Sequence, residues 1–174
     1  FIKKFKIINS MRETLNNKGY IEVDTPILQP IYGGANAKPF KTYVNDLKRD
    51  AYLRISDELY LKRLIIGGFD KVYELSKDFR NESIDSTHNP EFTMIEFYQA
   101  YADYNDMIKL TQGIIINVNK AISNKNEITF LGNKINLKTP WKIMTMKEAI
   151  KKYSNIDVDK LNYKELFKLK DKYK

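Results

Sequence analysis

Residues 79–98 read F-R-N-E-S-I-D-S-T-H-N-P-E-F-T-M-I-E-F-Y, and no other stretch restricts the fold as tightly. In its second half Phe92, Met94, Glu96 and Tyr98 fall on one face and Thr93, Ile95 and Phe97 on the other, a period of two that predicts a strand. Residues 71–79 alternate in the same manner. The polar segment 83–90, ending in the breaker pair Asn89-Pro90, joins the two runs, so the spacing predicts an antiparallel pair. Glu96 and Tyr98 then point the same way, among apolar neighbours that make an ionised carboxylate costly unless a cation meets it.

The charge of this stretch runs against that of the chain. It carries one Arg against four acids, −3, in a protein of formal charge +8, so everything outside it sums to +11. The segment 138–174 alone has eleven Lys against five acids, or +6. A basic chain with pI near 9.4 suits a polyanionic partner, although Lys-rich faces are also simply solvated and nothing in 138–174 reads bases. An acidic pocket within a basic protein is the more specific clue.

Of the 174 residues, 43% are hydrophobic and 13% aromatic, enough for one core and against disorder. The absence of cysteine removes disulfides, thiolate zinc sites and thiol nucleophiles, and fits a reducing cytosol. No apolar run approaches the roughly 20 residues of a membrane span, and Lys3, Lys4 and Lys6 break the apolar start, so it is no signal peptide. A first residue of Phe leads us to expect a piece of a longer protein.

Along the chain, Phe1, Phe5, Ile8, Met11 and Leu15 form the stripe of an amphipathic helix that stops at Gly19. A strand over 20–23 reaches Asp24-Thr25-Pro26, where proline favours an edge. A loop over 29–40 carries Gly33-Gly34, a plain turn or a point of close backbone approach. A strand over 51–55 precedes a helix capped by Ser56 or Asp57 and ended by Gly67-Gly68. Asp103 caps a long helix with Met107, Leu110, Ile114, Val118 and Ile122 inward. A hairpin over 127–137 turns at Gly132-Asn133. Thr145/Glu148 and Asn162/Glu165 form capping boxes for two last helices. Without repeat or linker, the result is an α+β domain, an antiparallel sheet flanked by helices.

Walker and G-x-G-x-x-G loops are absent. A single histidine, His88, makes a His-rich metal site impossible and a Ser-His-Asp triad a poor fit. His88 sits in a polar loop eight residues from Arg80, whose guanidinium fork suits a carboxylate or phosphate; Arg80 alone could equally pair with Glu82. Together these residues suit a site that holds phosphates with Arg80 and His88 and a cationic ligand with carboxylates.

Gly19-Tyr20-Ile21-Glu22-Val23-Asp24-Thr25-Pro26 resembles motif 1 of class II aminoacyl-tRNA synthetases, and Phe79-Arg80-Asn81-Glu82 with Glu91-Phe92-Thr93 resembles motif 2. Tyr32-Gly33-Gly34-Ala35, Glu58-Leu59-Tyr60-Leu61-Lys62-Arg63, His88-Asn89-Pro90-Glu91-Phe92-Thr93-Met94 and Ala100-Tyr101-Ala102-Asp103-Tyr104 look specifically like the lysyl-tRNA synthetases. The resemblance spans essentially the whole chain, most densely from residue 19 to 104. Either general motif alone is weak; four specific matches in order are strong.

The resemblance implies activation of lysine by ATP to lysyl-adenylate and transfer to the 3′ end of tRNA(Lys). Arg80 would be catalytic, bridging the lysine carboxylate and the α-phosphate. Glu82, His88 and Asn89 would contact ATP and Phe92 would stack on adenine. Gly34, Glu58 and Glu96 would hold the α-amino group, with Tyr98 near the ε-ammonium. Motif 1 implies a homodimer, and a cytoplasmic enzyme is expected.

Ser83 stands where the family commonly has Gly, and Asp57 where it often has Pro. Motif 3, with its ATP-binding Arg and the ligands for Mg2+, is not found, nor is the anticodon-binding OB barrel. Residues 1–174 are therefore expected to be a partial, incomplete catalytic core with no metal ligands of its own. Motif 1 lies at about 19–26, motif 2 at about 79–98, and an insertion begins over about 105–174. Alone, such a piece is expected not to aminoacylate. Two alternatives are a ligase that lysylates a translation factor and a non-catalytic synthetase-like module.

Overall fold

The computed structural model describes residues 1–123 and 125–170 and divides into two compact units, Phe1–Ile128 and Thr129–Lys174. The first contains α1 (Ile2–Asn16), β1 (Ile21–Glu22), β2 (Leu28–Gln29), β3 (Lys41–Val44), β4 (Arg49–Leu53), α2 (Glu58–Ile66), β5 (Lys71–Phe79), β6 (Glu91–Gln99) and α3 (Tyr104–Ile122).

β5 and β6 are the expected antiparallel pair, in register from Lys71↔Gln99 to Phe79↔Glu91. β1 pairs parallel with the other side of β5, and its two-residue length agrees with an edge strand cut short before Pro26. The period of two in β6 has its packing reason. Ile95 and Phe97 lie against the core of Leu15, Tyr20, Tyr73, Leu110 and Ile114, while Met94, Glu96 and Tyr98 take the opposite face. Tyr20 meets Phe97 edge to face at 6.4 Å, a favoured aromatic geometry. α3 begins at the predicted cap: the Asp103 carboxylate accepts the N–H groups of Asn105 and Asp106, and Asp106 returns a bond to the Asp103 N–H.

Three expectations need correction. The α1 stripe is buried only at its C-terminal end: Leu15 is fully buried, whereas Phe1 and Phe5 are 111% and 64% exposed. There α1 meets α3 through Leu15, in one core with Leu110 and Ile114, and through Asn117, which donates to Thr14 Oγ1 at 3.1 Å, whereas the first turn of α1 is exposed. Ile122, expected inward, is exposed at the last turn of α3. β2 and β3 were not legible. They flank β4 in a second antiparallel sheet of order β2-β4-β3, and β3 is mostly exposed and polar, so it lacks an apolar alternation.

The second unit is reached through β7 (Glu127–Phe130), which pairs with β8 (Asn133–Asn136). The turn sits at Leu131-Gly132, with φ of 47° and 78°, one residue before the expected position and in the type I′ conformation that matches strand twist. α4 (Met146–Ser154) and α5 (Tyr163–Leu169) start at the two predicted capping boxes. The architecture is α+β, as the sequence predicts.

Candidate active site

β5 ends at Phe79 and delivers Arg80 to the mouth of the 80–90 loop. The Arg80 N–H donates to Pro90 O at 2.8 Å, which closes the loop at its base. Asn81 N–H donates to Lys38 O at 2.8 Å and Lys38 N–H to Glu82 Oε1 at 3.0 Å, so two backbone segments are stapled beside Arg80. The guanidinium lies 5.0 Å from the centre of the Phe92 ring and reaches Ile55 O only at 3.4 Å from both Nε and Nη2. Among the described residues Arg80 has no ion-pair partner, so the Glu82 pairing left open by the sequence is not made. A cation held by an aromatic face and one long carbonyl contact keeps most of its hydrogen-bonding capacity for an incoming anion.

The loop fixes His88 through Asp85. Asp85 Oδ1 accepts the N–H groups of Thr87 at 2.7 Å and His88 at 2.9 Å, and His88 Nδ1 lies 2.8 Å from Asp85 Oδ2. The Thr87 backbone bond, then His88, hold the Asp85 carboxyl far below the usual carboxylate range. Arg80, Glu82, His88, Asn89 and Phe92, the five residues expected to meet ATP, line one cavity of about 260 Å³.

A second group converges around Ser56. Glu96 Oε1 accepts the Ser56 hydroxyl at 2.7 Å and the Asp57 N–H at 3.3 Å, and Oε2 accepts the Tyr98 hydroxyl at 2.9 Å. Burial, then the Glu96 charge, push the Tyr98 phenol up, so it stays a proton donor. Ser56 Oγ also accepts the Glu58 N–H at 3.2 Å. Glu58 itself pairs with Lys62 one turn on, at 2.7 Å, an i,i+4 pair worth only about 0.3–0.5 kcal/mol and readily exchanged. Gly34 has φ of 85°, and a Cβ there would lie 2.7 Å from Glu58 Cβ and 2.8 Å from Ser56 Oγ. Close approach, the second of the two sequence readings, is what the loop requires. Gly34→Ala is expected to cost about 1–3 kcal/mol, read as a lower melting temperature; an unchanged value would mean that the loop can move away.

Of the two candidate caps for α2, Asp57 is the one not used. Its side chain makes no cap bond to α2; Ser56 serves Glu58 instead. The Asp57 carboxyl turns inward to a buried polar cluster that sequence reasoning missed. Arg54, Asp57, Glu74 and Asp78 are all 2% exposed or less. Arg54 Nη1 donates to Glu74 Oε1 at 2.6 Å and Thr25 O at 3.1 Å, and Nε to Lys77 O at 3.0 Å. The Ser76 hydroxyl donates to Asp57 Oδ2 at 2.7 Å. The available signal was Glu74, Ser76 and Asp78 at alternate positions of β5, a polar face whose burial only tertiary packing decides.

Oxygens of Asp57, Asp78 and Glu96 lie within 4.8 Å of one another. They do not fit Mg2+, which keeps several waters in an octahedral shell. Asp57 and Asp78 have no exposed surface, and the Arg54 guanidinium stands 3.2 Å from each.

The chain is a member of the class II tRNA synthetases (D, K and N), whose family model matches residues 1–173. Among the relatives it resembles are lysine–tRNA ligases. That of Clostridium botulinum (strain Langeland) is 55% identical over 157 residues, 90% of this chain and 31% of the relative. That of Clostridium tetani is 51% identical over 175 residues, 98% and 35%. That of Methanospirillum hungatei is 51% identical over 158 residues, 91% and 31%. The chain thus spans about a third of the length of the curated relatives it matches. Among the described residues no helix is long and apolar enough to cross a membrane.

Proposed function

We propose that the protein carrying this chain is a lysine–tRNA ligase. The observation that carries the reading is an Arg80 that faces the Phe92 ring, has no ion-pair partner among the described residues and reaches Ile55 O, beside the Ser56 that with Tyr98 grips a half-buried Glu96. A ligand with a carboxylate at one end and ammonium groups beside it matches both, and lysine has two ammonium groups to repay the desolvation of Glu96 and Glu58.

In this reading Arg80 draws the lysine carboxylate and the ATP α-phosphate together. One carboxylate oxygen attacks the α-phosphorus in line and pyrophosphate leaves; Arg80 stabilises the charge that grows on the phosphoryl oxygens. Glu82, His88 and Asn89 orient the nucleotide while Phe92 stacks on adenine. Glu58, the backbone at Gly34 and Glu96 hold the α-amino group, and Tyr98 lies near the ε-ammonium. A hydroxyl of the 3′-terminal ribose of tRNA(Lys) then attacks the lysyl carbonyl of the adenylate, the mixed anhydride breaks and AMP leaves. Mg2+ bound with ATP would supply neutralising charge at the phosphates, and its ligands would come from a third motif. The exposed Phe1, Ile2, Phe5 and Ile21 support a homodimer through α1 and β1. The lack of cysteine supports a cytoplasmic enzyme, in which residues 1–174 form the first part of the catalytic domain.

Amino-acid-dependent ATP–pyrophosphate exchange by the complete protein, run with all twenty amino acids, tests this. Exchange with lysine alone is expected. Glu96→Gln is expected to raise the KM for lysine by about 10–100-fold, since it removes the charge of one charge-assisted bond, with a smaller change in kcat. Unaltered lysine affinity and selectivity in that variant would sink the ammonium-pocket assignment.

A further inference from the structure

We propose that Asp57 and Asp78 hold one proton between them, and that this buried acid–carboxylate pair positions Glu96 for the substrate ammonium. The proposal rests on the reading of Glu96 above and adds two residues that reach the substrate only through it.

The charge balance demands a proton or its equivalent. Among the described residues Arg54 is the one cation beside the carboxyls of Asp57, Glu74 and Asp78. Its N–H groups are directed at Glu74, Thr25 and the Lys77 carbonyl. Asp57 and Asp78 therefore sit at ion-pair distance without a guanidinium hydrogen bond to either. The Ser76 hydroxyl has a single proton for Asp57 Oδ2 at 2.7 Å and Asp78 Oδ1 at 3.3 Å. Asp57 Oδ1 and Asp78 Oδ2 are left buried without a donor, a costly state for ionised oxygens. A proton on the pair removes one negative charge and supplies the missing donor, as in other like-charge carboxyl pairs that cannot both ionise. A hydrated metal ion cannot take its place beside the guanidinium.

The other groups facing the pair are of both signs: the carboxylates favour the shared proton and Arg54 opposes it. Glu74 from β5, Glu96 from β6 and Arg54 after β4 are the charged neighbours, and Glu58 and Tyr98 lie beyond Glu96. Burial pushes the Asp57 carboxyl up to about 7. Burial also raises Asp78, against the pull of Arg54 and with the push of Glu96.

The connection to the site is short. The Ser76 bond ties Asp57 to β5. The same residue's N–H and the adjoining Ser56 hydroxyl are the two donors on Glu96 Oε1. Ionising the pair sets Asp57 against Asp78 and loosens the turn that grips Glu96. By linkage, if the protonated pair holds Glu96 better for an ammonium, an ammonium at Glu96 in turn favours the protonated pair.

Infrared difference spectra and exchange kinetics of the complete protein test both halves. Wild type should show a protonated-carboxyl C=O band that titrates away near neutrality, absent from Asp57→Asn and from Asp78→Asn. Its KM for lysine should rise about tenfold between about pH 6 and about pH 8.5, with kcat little changed. Asp57→Asn keeps a neutral amide that can donate to Asp78, so its KM should follow wild type at the lower pH and stay flat; the comparison cancels titration of the substrates. Absence of the band, or its loss on stoichiometric uptake of Mg2+ alone, would overturn proton sharing. A band with parallel KM profiles in wild type and Asp57→Asn would overturn the positioning role. Failure of lysine exchange in wild type would remove the Glu96 reading and the positioning role with it, while the band still decides the proton.

Discussion

Arg80→Ala in the complete protein is expected to lower lysine-dependent ATP–pyrophosphate exchange by about a thousandfold, the scale of removing one preorganised charge donor from a transition state, without unfolding the domain. The two halves of that expectation come from the same geometry. The guanidinium has no carboxylate partner among the described residues, its two bonds to Ile55 O are long, and its main contact is the Phe92 ring. Its loss therefore strands no buried charge, and the loop base survives because the Arg80 main chain, not its side chain, bonds Pro90. Arg80→Lys is expected to recover little, since an ammonium neither stacks on Phe92 as a plane nor spans a carboxylate and a phosphate with one fork. Exchange rates and a thermal melt on the same variants check this. A fall in kcat of less than about tenfold would mean that Arg80 is not where phosphoryl charge develops.

The parts of the site that were legible lie where a local rule and tertiary packing agree. The alternation of β6 separated Ile95 and Phe97 from Glu96 and Tyr98, and the core of the first unit uses the same division. Arg80 and His88 stood out because an antiparallel pair must return through a loop, and the breaker pair Asn89-Pro90 marked its end. The caps at Asp103, Thr145 and Asn162 carry their own hydrogen-bond logic in four residues. The sequence left Ser56 and Asp57 open as caps of α2, and the structure uses Ser56. An Asp ahead of an apolar run satisfies the local rule for a cap, but here Ser56 does that work from one position earlier, and the Asp57 carboxyl is claimed by Ser76 on β5. Nothing within a short window distinguishes Glu74 and Asp78 from an exposed polar face. Their burial is decided by Arg54, twenty residues and more before them in sequence, so the cluster behind the site is visible only in three dimensions. The exposed apolar turns of α1 misled in a related way, since the stripe is real but only its C-terminal end is buried.

Arg54→Met is expected to be the most damaging single change to stability, with a cost of about 3–5 kcal/mol, the range for stranding buried charge by removing one partner. The side chain is of similar length, so packing is largely kept and the loss is electrostatic. Glu74 loses its 2.6 Å bond, Thr25 O its donor, and Asp57 and Asp78 their one neighbouring cation. The cost should depend on pH with a definite sign. A carboxyl whose pKa is raised on folding binds more protons in the native state, so stability falls as pH rises from its unfolded value to its folded one. For Asp57 in wild type that window runs from the ordinary Asp range to about 7. Without Arg54 the Asp57 and Asp78 carboxyls lose the charge that holds them down, and the window widens toward higher pH. Glu22 acts oppositely: Arg12 holds it below the usual range, so its contribution is present above that range and lost only in acid, outside the interval of interest. The penalty for Arg54→Met is thus expected to be several-fold smaller near about pH 5 than near about pH 8. Hydrogen exchange at the β5 and β6 amides of the complete protein, corrected for intrinsic rates, reads this local opening free energy. Equal penalties at the two pH values would mean that the carboxyls do not change protonation when their cation is removed. A penalty below about 1 kcal/mol would show that the cluster is hydrated enough to do without Arg54.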